Sequence, residues 1–371
     1  MSRQLPDFPW DSLVPAKEKA SSHPDGIVDL SVGAPVDPTP QIIQDALCSA
    51  ADAHTYPQVW GTAALRESIR HWIRSTWDGI CLPDEGIMPV VGTKELVGWL
   101  PTLLGLTSAD TVVVPVCAYP TYEVGALMVG AQVRRCDDPA ELPASGPGVP
   151  ALVWINSPAN PHGSILSADQ LRAWISYARR VGAILASDEC YLDFSYEAEP
   201  VSTLREDVCG GTADRILAVH SLSKRSNLAG YRAGFVAGEE AVVTELIGLR
   251  KHLGMMVPAP VQAAMIAALG DHRHVAEQRE RYRRRRQTMK TALEQAGFRI
   301  DHSQGSLYLW ATLDEDCRVT TDRLAQLGIL VAPGDFYGDA GARHVRISMT
   351  ASDERIDAAA ARLLDAGRLA D

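Results

Sequence analysis

The chain is organised around the stretch His220-Ser221-Leu222-Ser223-Lys224-Arg225-Ser226-Asn227-Leu228-Ala229-Gly230-Tyr231-Arg232-Ala233-Gly234. A lysine that acts as a Schiff-base amine needs surroundings that lower its pKa, and Lys224 is flanked by small hydroxyl residues. Ser221 and Ser223 can donate to an anion, and Arg232 can offer a rigid two-donor fork to a phosphate. The pattern predicts an anion clamp around a reactive lysine; the alternative is an exposed loop lysine beside a turn glycine.

Composition limits the classes of protein that this chain can belong to. Its 371 residues, 46% of them hydrophobic, exceed what a single core usually holds, so two domains are expected. The formal net charge of -11 argues against nucleic acid or an anionic membrane as the main partner. No stretch of about 18 uncharged apolar residues occurs, and the N-terminus lacks an apolar leader, so we expect no membrane segment.

The seven cysteines are spaced singly, without a C-x-x-C pair, and no histidine cluster has metal-ligand spacing. This spacing is typical of reduced thiols in a cytoplasmic protein and predicts no metal site. The cysteines are Cys48, Cys81, Cys117, Cys136, Cys190, Cys209 and Cys317.

From about residue 86, apolar runs alternate with helical stretches, the pattern of a mostly parallel sheet covered on both faces. The predicted α/β fold has a large domain over 39–255 with seven strands, preceded by helices at about 40–52 and after Thr62. The strands are expected at 87–91, 111–115, 132–135, 151–156, 183–187, 215–219 and 233–237, with helices at 94–106, 121–130 and 167–181.

The two ends of the chain are predicted to form smaller units. Residues 1–38, rich in Pro and Gly, are interpreted as an arm that contributes to a small domain and to the active site. Residues 256–371 are expected to form that small α+β domain, with strands at 307–312, 329–331 and 344–349 and helices at 319–326 and 352–367. The arginine-rich stretch 279–286 is interpreted as a solvated helix face rather than a nucleic-acid contact, since acidic residues lie among the arginines.

Several polar residues follow predicted strands, at the edge where open α/β sheets bind ligands. Asp188 follows the strand at 183–187, and Asn160 lies in a turn after the strand at 151–156. Asp188 could instead be an ordinary helix-capping aspartate. The Asn- and Pro-rich turn around Asn160 could be only a turn.

With these residues in view, the chain resembles the class I and II pyridoxal-phosphate-dependent aminotransferases of fold type I. The resemblance implies pyridoxal 5′-phosphate as cofactor and Lys224 as the amine that binds it and moves a proton. Asp188 would hold the pyridine nitrogen protonated, and Tyr191 and Asn160 would donate to the phenolate oxygen.

The same resemblance assigns a phosphate cup. Its members would be Gly92, Thr93 and Lys94 at a helix start, together with Ser221, Ser223 and Arg232. Tyr119 would stack on the pyridine ring; core packing is the alternative. Tyr56 matches a tyrosine that reaches the phosphate in the neighbouring subunit, which implies a homodimer with active sites at the subunit interface.

For the substrate, the resemblance assigns the α-carboxylate to Arg346, with Gly33 as a backbone donor and Asn160 nearby. His162 stands where the family usually has threonine, and we interpret it as local loop chemistry rather than a catalytic base.

Segments 5–11 and 28–38 resemble the N-succinyldiaminopimelate aminotransferases of bacterial lysine biosynthesis. That family moves an amino group from glutamate to N-succinyl-2-amino-6-oxopimelate by a ping-pong mechanism. Both substrates are polyanions, so a second cationic contact is expected, which the sequence does not identify. The alternatives are an aminotransferase of another amino acid and a C–S lyase on the same fold. A ligand-sensing regulator is disfavoured by the short N-terminal segment and the negative charge.

Overall fold

The structure, a computed structural model, describes residues 5–369. Two predicted strands have the expected bounds, and the other five of the predicted sheet shift by one or two residues at their ends. The helices are α1 (Val14–Ser21), α2 (Gln41–Ser49), α3 (Ala63–Trp77), α4 (Thr93–Leu103), α5 (Thr121–Val129), α6 (Ala168–Val181), α7 (Glu206–Cys209), α8 (Leu222–Arg225), α9 (Glu240–Leu253), α10 (Ala259–Gly270), α11 (Arg273–Gln295), α12 (Cys317–Gln326) and α13 (Asp353–Ala366).

The strands make one large sheet, one small sheet and one short pair. They are β1 (Val28–Asp29), β2 (Ile87–Val91), β3 (Thr111–Val114), β4 (Gln132–Arg135), β5 (Pro150–Asn156), β6 (Ile184–Asp188), β7 (Ile216–Ser221), β8 (Ala233–Gly238), β9 (Arg299–Ile300), β10 (Tyr308–Thr312), β11 (Ile329–Leu330), β12 (Ala332–Pro333) and β13 (Val345–Ser348).

The large sheet has seven strands in the order β2-β8-β7-β6-β5-β3-β4. All neighbours are parallel except β8, which runs antiparallel to both β2 and β7. This confirms the predicted fold class. Successive side chains point to opposite faces: Val113 packs in the core beside α3, α6 and α10, whereas Val112 and Val114 pack in the core beside α4, α5 and α9.

Local capping residues place two of the covering helices. Thr62 Oγ1 accepts a hydrogen bond from the Leu65 backbone N–H at 3.2 Å, so α3 starts where the sequence predicted. Ser167 and Gln170 form a reciprocal capping box at the start of α6.

The smaller unit is built on the antiparallel sheet β12-β13-β10-β9, with α11, α12 and α13 packed around it. The arm joins this unit, because β1 pairs in parallel with β11 and α1 packs against α12. Helix α1 was not expected; its sequence has little apolar periodicity, and of its residues only Ala20 is buried.

Helix α10 packs against α2 and α3 of the large unit, although it lies beyond the predicted boundary at residue 255. Its Ala264 and Met265 are fully buried in the large core. We therefore propose that the domain boundary falls after Gly270.

The interpretation of 279–286 as a wholly solvated face is wrong for two arginines. Arg285 binds both carboxylate oxygens of Asp37 at 2.8 Å, and Arg286 binds Glu197 at 2.5 Å. The side chains of these arginines are 3% and 8% exposed. Their acidic partners come from distant segments, which a local charge pattern does not reveal.

Within residues 5–369, no helix is both long and apolar enough to cross a membrane.

Candidate active site

A cavity of about 670 Å³ opens at the carboxyl ends of β5, β6 and β7. It brings together residues from seven separated parts of the chain, and most of the predicted site residues line it. They are Gly33, Thr93, Lys94, Tyr119, Asn160, Asp188, Tyr191, Ser221, Ser223, Lys224, Arg232 and Arg346.

Lys224 lies on the short helix α8, which begins directly after β7. The Ser221 hydroxyl accepts from the Ser223 backbone N–H at 3.1 Å and caps this helix, while Lys224 Nζ donates to the carbonyl oxygen of Gly33. Burial and, to a smaller extent, the positive charge of Arg346 lower the pKa of Lys224 to about 8. A nucleophilic amine is therefore available near neutral pH.

Asp188 ends β6, and its carboxylate is fixed by two donors. The Tyr122 hydroxyl donates to it at 2.7 Å and the Cys190 backbone N–H at 3.1 Å. Burial raises the pKa of Asp188, and these hydrogen bonds work against that rise. Tyr122, which also stacks on Trp154 at 4.8 Å, was missed in the sequence. Its position three residues after Tyr119 was the one sequence feature that placed Tyr122 near the predicted site.

Arg346, the predicted substrate-binding arginine, projects from β13 and is 3% exposed. It donates to Asn160 Oδ1 at 2.9 Å and to the Ser31 carbonyl oxygen at 2.7 Å. Its guanidinium carbon lies 4.0 Å from the ring centre of Tyr308, a residue that sequence reasoning missed. Arg346 Nε is buried and has no hydrogen-bond partner within residues 5–369.

Tyr191 faces Tyr308, with their hydroxyl oxygens 3.0 Å apart. Burial raises the pKa of Tyr191 well above its usual value, with Tyr308 adding to the rise, so the hydroxyl stays protonated and can donate. Burial likewise raises the pKa of Tyr119 to about 12.

The predicted phosphate cup lies at the start of α4. Gly92 has φ +75°, and a Cβ atom there would lie 2.2 Å from Arg232 Nη2, so only glycine lets the arginine pack against this turn. Arg232 is oriented by donating to the Ala229 carbonyl oxygen at 2.8 Å. The first backbone N–H groups of α4, starting at Thr93, have no partner inside the helix and suit an anion.

A second buried layer supports the turn that carries Asp188. Glu189 accepts hydrogen bonds from Ser187, Ser202 and Thr203 and is fully buried, which raises its pKa. Burial, with a contribution from Arg225, lowers the pKa of neighbouring His220 to about 3 and keeps this ring neutral. No local sequence pattern indicates a role for either residue.

The predicted site residues Gly92 and Tyr56 do not line this cavity, and neither does His162; Gly92 packs against Arg232 instead. Tyr56 is 94% exposed, so its role toward a partner subunit stays a prediction. His162 faces a separate cavity of about 550 Å³, and its ring lies 5.2 Å from that of His302. Burial, then the charges of His302 and His344, lower the pKa of His162 to about 4.

The residues present fit pyridoxal 5′-phosphate. Each part of the cofactor has a suitable group in one cavity. The buried carboxylate suits the ring nitrogen, and the amine of lowered pKa suits the aldehyde. The hydroxyl and amide donors suit the phenolate oxygen, and the uncapped helix start suits the phosphate. Arg346, which lines the same cavity, carries a positive charge suited to a substrate carboxylate.

Comparisons with known proteins agree with a site suited to pyridoxal 5′-phosphate. The family profile described as "Aminotransferase class I and II" matches residues 25–363. The 4-dedimethylamino-4-oxo-anhydrotetracycline transaminase OxyQ of Streptomyces rimosus is 54% identical, covering 97% of this chain and 99% of the relative. The probable aminotransferase Rv1178 of Mycobacterium tuberculosis is 56% identical, covering 98% of this chain and 86% of the relative.

Among solved structures, a probable N-succinyldiaminopimelate aminotransferase from Thermus thermophilus superposes with a TM-score of 0.86 at 27% identity. The match covers 97% of this chain and the whole of that one.

Proposed function

The chain belongs to the class I and II aminotransferases, which have fold type I and depend on pyridoxal 5′-phosphate, and on that premise we propose that it transfers an amino group from glutamate to a larger carbonyl acceptor. One observation supports this most directly: the amine of Lys224, the carboxylate of Asp188 and the guanidinium of Arg346 line one cavity. These are the groups that amino transfer requires at the cofactor ring and at the substrate carboxylate.

The bound cofactor would supply a reactive carbonyl carbon and a conjugated ring that accepts electrons. Lys224 Nζ would take the proton from the substrate α-carbon and return it on the cofactor side. Asp188, held by Tyr122, would keep the ring nitrogen protonated, while Asn160 and Tyr191 would hold the phenolate oxygen. Arg346 would grip the α-carboxylate and so orient the bond that breaks.

We propose two acceptors. The first is N-succinyl-2-amino-6-oxopimelate, which would place the chain in diaminopimelate and lysine biosynthesis; the similarity of segments 5–11 and 28–38 and the T. thermophilus neighbour support it. The second is a ring-bearing ketone such as 4-dedimethylamino-4-oxo-anhydrotetracycline, supported by 54% identity to OxyQ over nearly the whole chain. A homodimer completed by Tyr56 and a cytoplasmic location also remain proposals.

A half-reaction panel tests this function. The holoenzyme is mixed separately with glutamate, a diaminopimelate derivative and cystathionine, and the visible absorption of the lysine-bound cofactor is followed. Glutamate should bleach this band, and the resulting amine form should then aminate one of the two acceptors. Ammonia and pyruvate released from cystathionine without a keto-acid acceptor would instead show a C–S lyase. Lys224→Ala should lose both the band and turnover; an active variant would refute the assignment.

A further inference from the structure

Tyr308 lies between a group proposed to contact the cofactor and a group proposed to contact the substrate. It is the first residue of β10, it lines the main cavity, and it is 3% exposed. Its hydroxyl oxygen lies 3.0 Å from that of Tyr191, and its ring centre lies 4.0 Å from the guanidinium carbon of Arg346. One side chain therefore contacts both groups, through its hydroxyl on one side and its ring on the other.

The two hydroxyls have a defined order once Tyr191 binds the cofactor. Within residues 5–369, the Tyr308 hydroxyl forms its hydrogen bond with Tyr191 alone. A tyrosine hydroxyl has one hydrogen to donate and lone pairs that accept. If Tyr191 gives its hydrogen to the phenolate oxygen, the hydrogen between the two tyrosines comes from Tyr308. Because hydrogen bonds in a chain polarise one another, donation by Tyr308 strengthens donation by Tyr191.

The ring of Tyr308 contacts Arg346 independently of the hydroxyl. Tyr308 pairs with Ser348 across the β10–β13 ladder, so Arg346, two residues before Ser348, is its diagonal neighbour on the same face of the sheet. A cation this close to an aromatic ring is attracted to it, the more so where water is excluded. Asn160 and the Ser31 carbonyl bind the Nη atoms of Arg346, and the ring adds a contact at the central carbon.

We propose that Tyr308 is a positioning residue with two separable roles. Its hydroxyl donates to Tyr191 and strengthens the hydrogen bond from Tyr191 to the phenolate oxygen of the cofactor, and its ring holds Arg346 in place for the substrate carboxylate. This inference rests on the proposed aminotransferase function and deepens it, because it assigns one residue to both ligands.

The hydroxyl role is tested by the pH midpoint at which the visible absorption of the lysine-bound cofactor changes in the holoenzyme. This change reports the proton on the nitrogen that joins Lys224 to the cofactor, which the negative phenolate oxygen attracts. A hydrogen bond to that oxygen weakens the attraction and lowers the midpoint. Tyr308→Phe should therefore raise the midpoint by roughly 0.2–0.6 pH unit, since a donor behind Tyr191 strengthens its bond to the charged oxygen by about 10–30%.

A double variant separates this role from a general structural effect. Tyr191→Phe removes the direct donor and should raise the midpoint by about 1–2 pH units. Tyr191→Phe combined with Tyr308→Phe should give the same midpoint as Tyr191→Phe alone, because the Tyr308 hydroxyl acts only through Tyr191. Additive shifts would overturn the proposal. So would a lower or unchanged midpoint in Tyr308→Phe, since Tyr191 would then be donating to Tyr308 in the wild type.

Tyr337→Phe is the matched control for the loss of a hydroxyl. The Tyr337 ring also lies near Arg346, 5.1 Å from its guanidinium carbon, but the Tyr337 hydroxyl has no hydrogen-bond partner in the described part of the chain. This variant should leave the midpoint unchanged. A shift equal to that of Tyr308→Phe would contradict a specific role for the pair of hydroxyls.

The ring role is tested by the glutamate half-reaction, in which the bleaching rate as a function of glutamate concentration gives an apparent dissociation constant. Tyr308→Phe keeps the ring and should stay within twofold of wild type. Tyr308→Leu should raise the constant by about 10- to 30-fold, as loss of a desolvated cation–π contact implies. Equal constants for the two variants would overturn the ring role. Urea unfolding checks that the variants fold, and Tyr308→Met replaces Tyr308→Leu if that variant does not. Failure of glutamate to bleach the wild-type holoenzyme would count against the proposed function alone, because the pH titration needs no substrate.

Discussion

Replacing Gly33 by alanine tests whether the arm fixes the substrate side of the cavity. A Cβ atom at this position would lie 2.2 Å from Tyr308 Oη and 2.9 Å from its Cζ atom. Tyr308 is 3% exposed, its hydroxyl meets that of Tyr191, and its ring packs under Arg346. Neither side can yield without displacing Tyr191 or Arg346, the groups proposed to contact cofactor and substrate, and the Gly33 carbonyl would also move away from Lys224.

Overpacking of a filled site costs about 1–3 kcal/mol. If that energy is lost from the productive arrangement, kcat/KM for glutamate should fall roughly 5- to 150-fold. The assay is steady-state transamination with a coupled readout of 2-oxoglutarate. Gly248→Ala is the matched control, because a Cβ on this helical glycine meets nothing within 4 Å. If Gly33→Ala kept kcat/KM within twofold of wild type, the arm would not fix Tyr308 and the reasoning would be refuted.

Three further predictions follow from buried groups. Because the pKa of Lys224 is about 8, roughly a tenth of the amine is neutral at pH 7. The rate at which apo-enzyme captures pyridoxal phosphate should therefore rise about tenfold between pH 7 and pH 9 and then level off. A rate that still rises steeply at pH 10 would indicate a lysine of ordinary pKa. Tyr122→Phe removes a hydrogen bond to a charged carboxylate, worth about 1.5–3 kcal/mol, and should weaken cofactor retention at least about tenfold in a dialysis assay. Asp37→Ala leaves Arg285 without its bidentate partner and should lower the free energy of unfolding, measured in urea, by about 3 kcal/mol. Glu280→Ala is the control: its arginine partners are exposed, so the urea midpoint should not change. Equal effects of the two substitutions would contradict the argument that burial makes the Asp37–Arg285 pair important.

Much of the large sheet could be read from the sequence, because strands covered on both faces are continuous apolar runs bounded by turn residues. The apolar strand Ile87–Val91 has the predicted bounds, and so does Gln132–Arg135, although that exposed edge strand is not an apolar run. The two-residue strands β9 and β12 were missed, since so short a pairing depends on the partner strand rather than on local pattern. Helix α1 was missed because it buries little of its own surface.

The candidate active-site residues also fall into two groups, those that a local sequence motif predicts and those that it does not. Residues in a local motif, such as Lys224 and Arg232, could be named from spacing and family resemblance. Tyr122 and Tyr308 could not, because their roles arise from contacts with Asp188 and Arg346, 66 and 38 residues away in sequence. The burial of Arg285 likewise depends on Asp37, far along the chain.

The antiparallel return of β8 beside β7 has a consequence for how the two ligands are held. Lys224 follows the end of β7 and Arg232 precedes the start of β8, so the proposed Schiff-base lysine and the proposed phosphate-binding arginine lie in one short loop at a single edge of the sheet. The proposed contacts of the substrate carboxylate come instead from the arm, the Asn160 turn and β13. The proposed cofactor residues, including Asp188 and the start of α4, all lie in the large unit, so cofactor retention should depend on that unit, whereas substrate recognition should depend on docking of the two units. Mild denaturant that separates the units should abolish substrate binding while the cofactor is still attached.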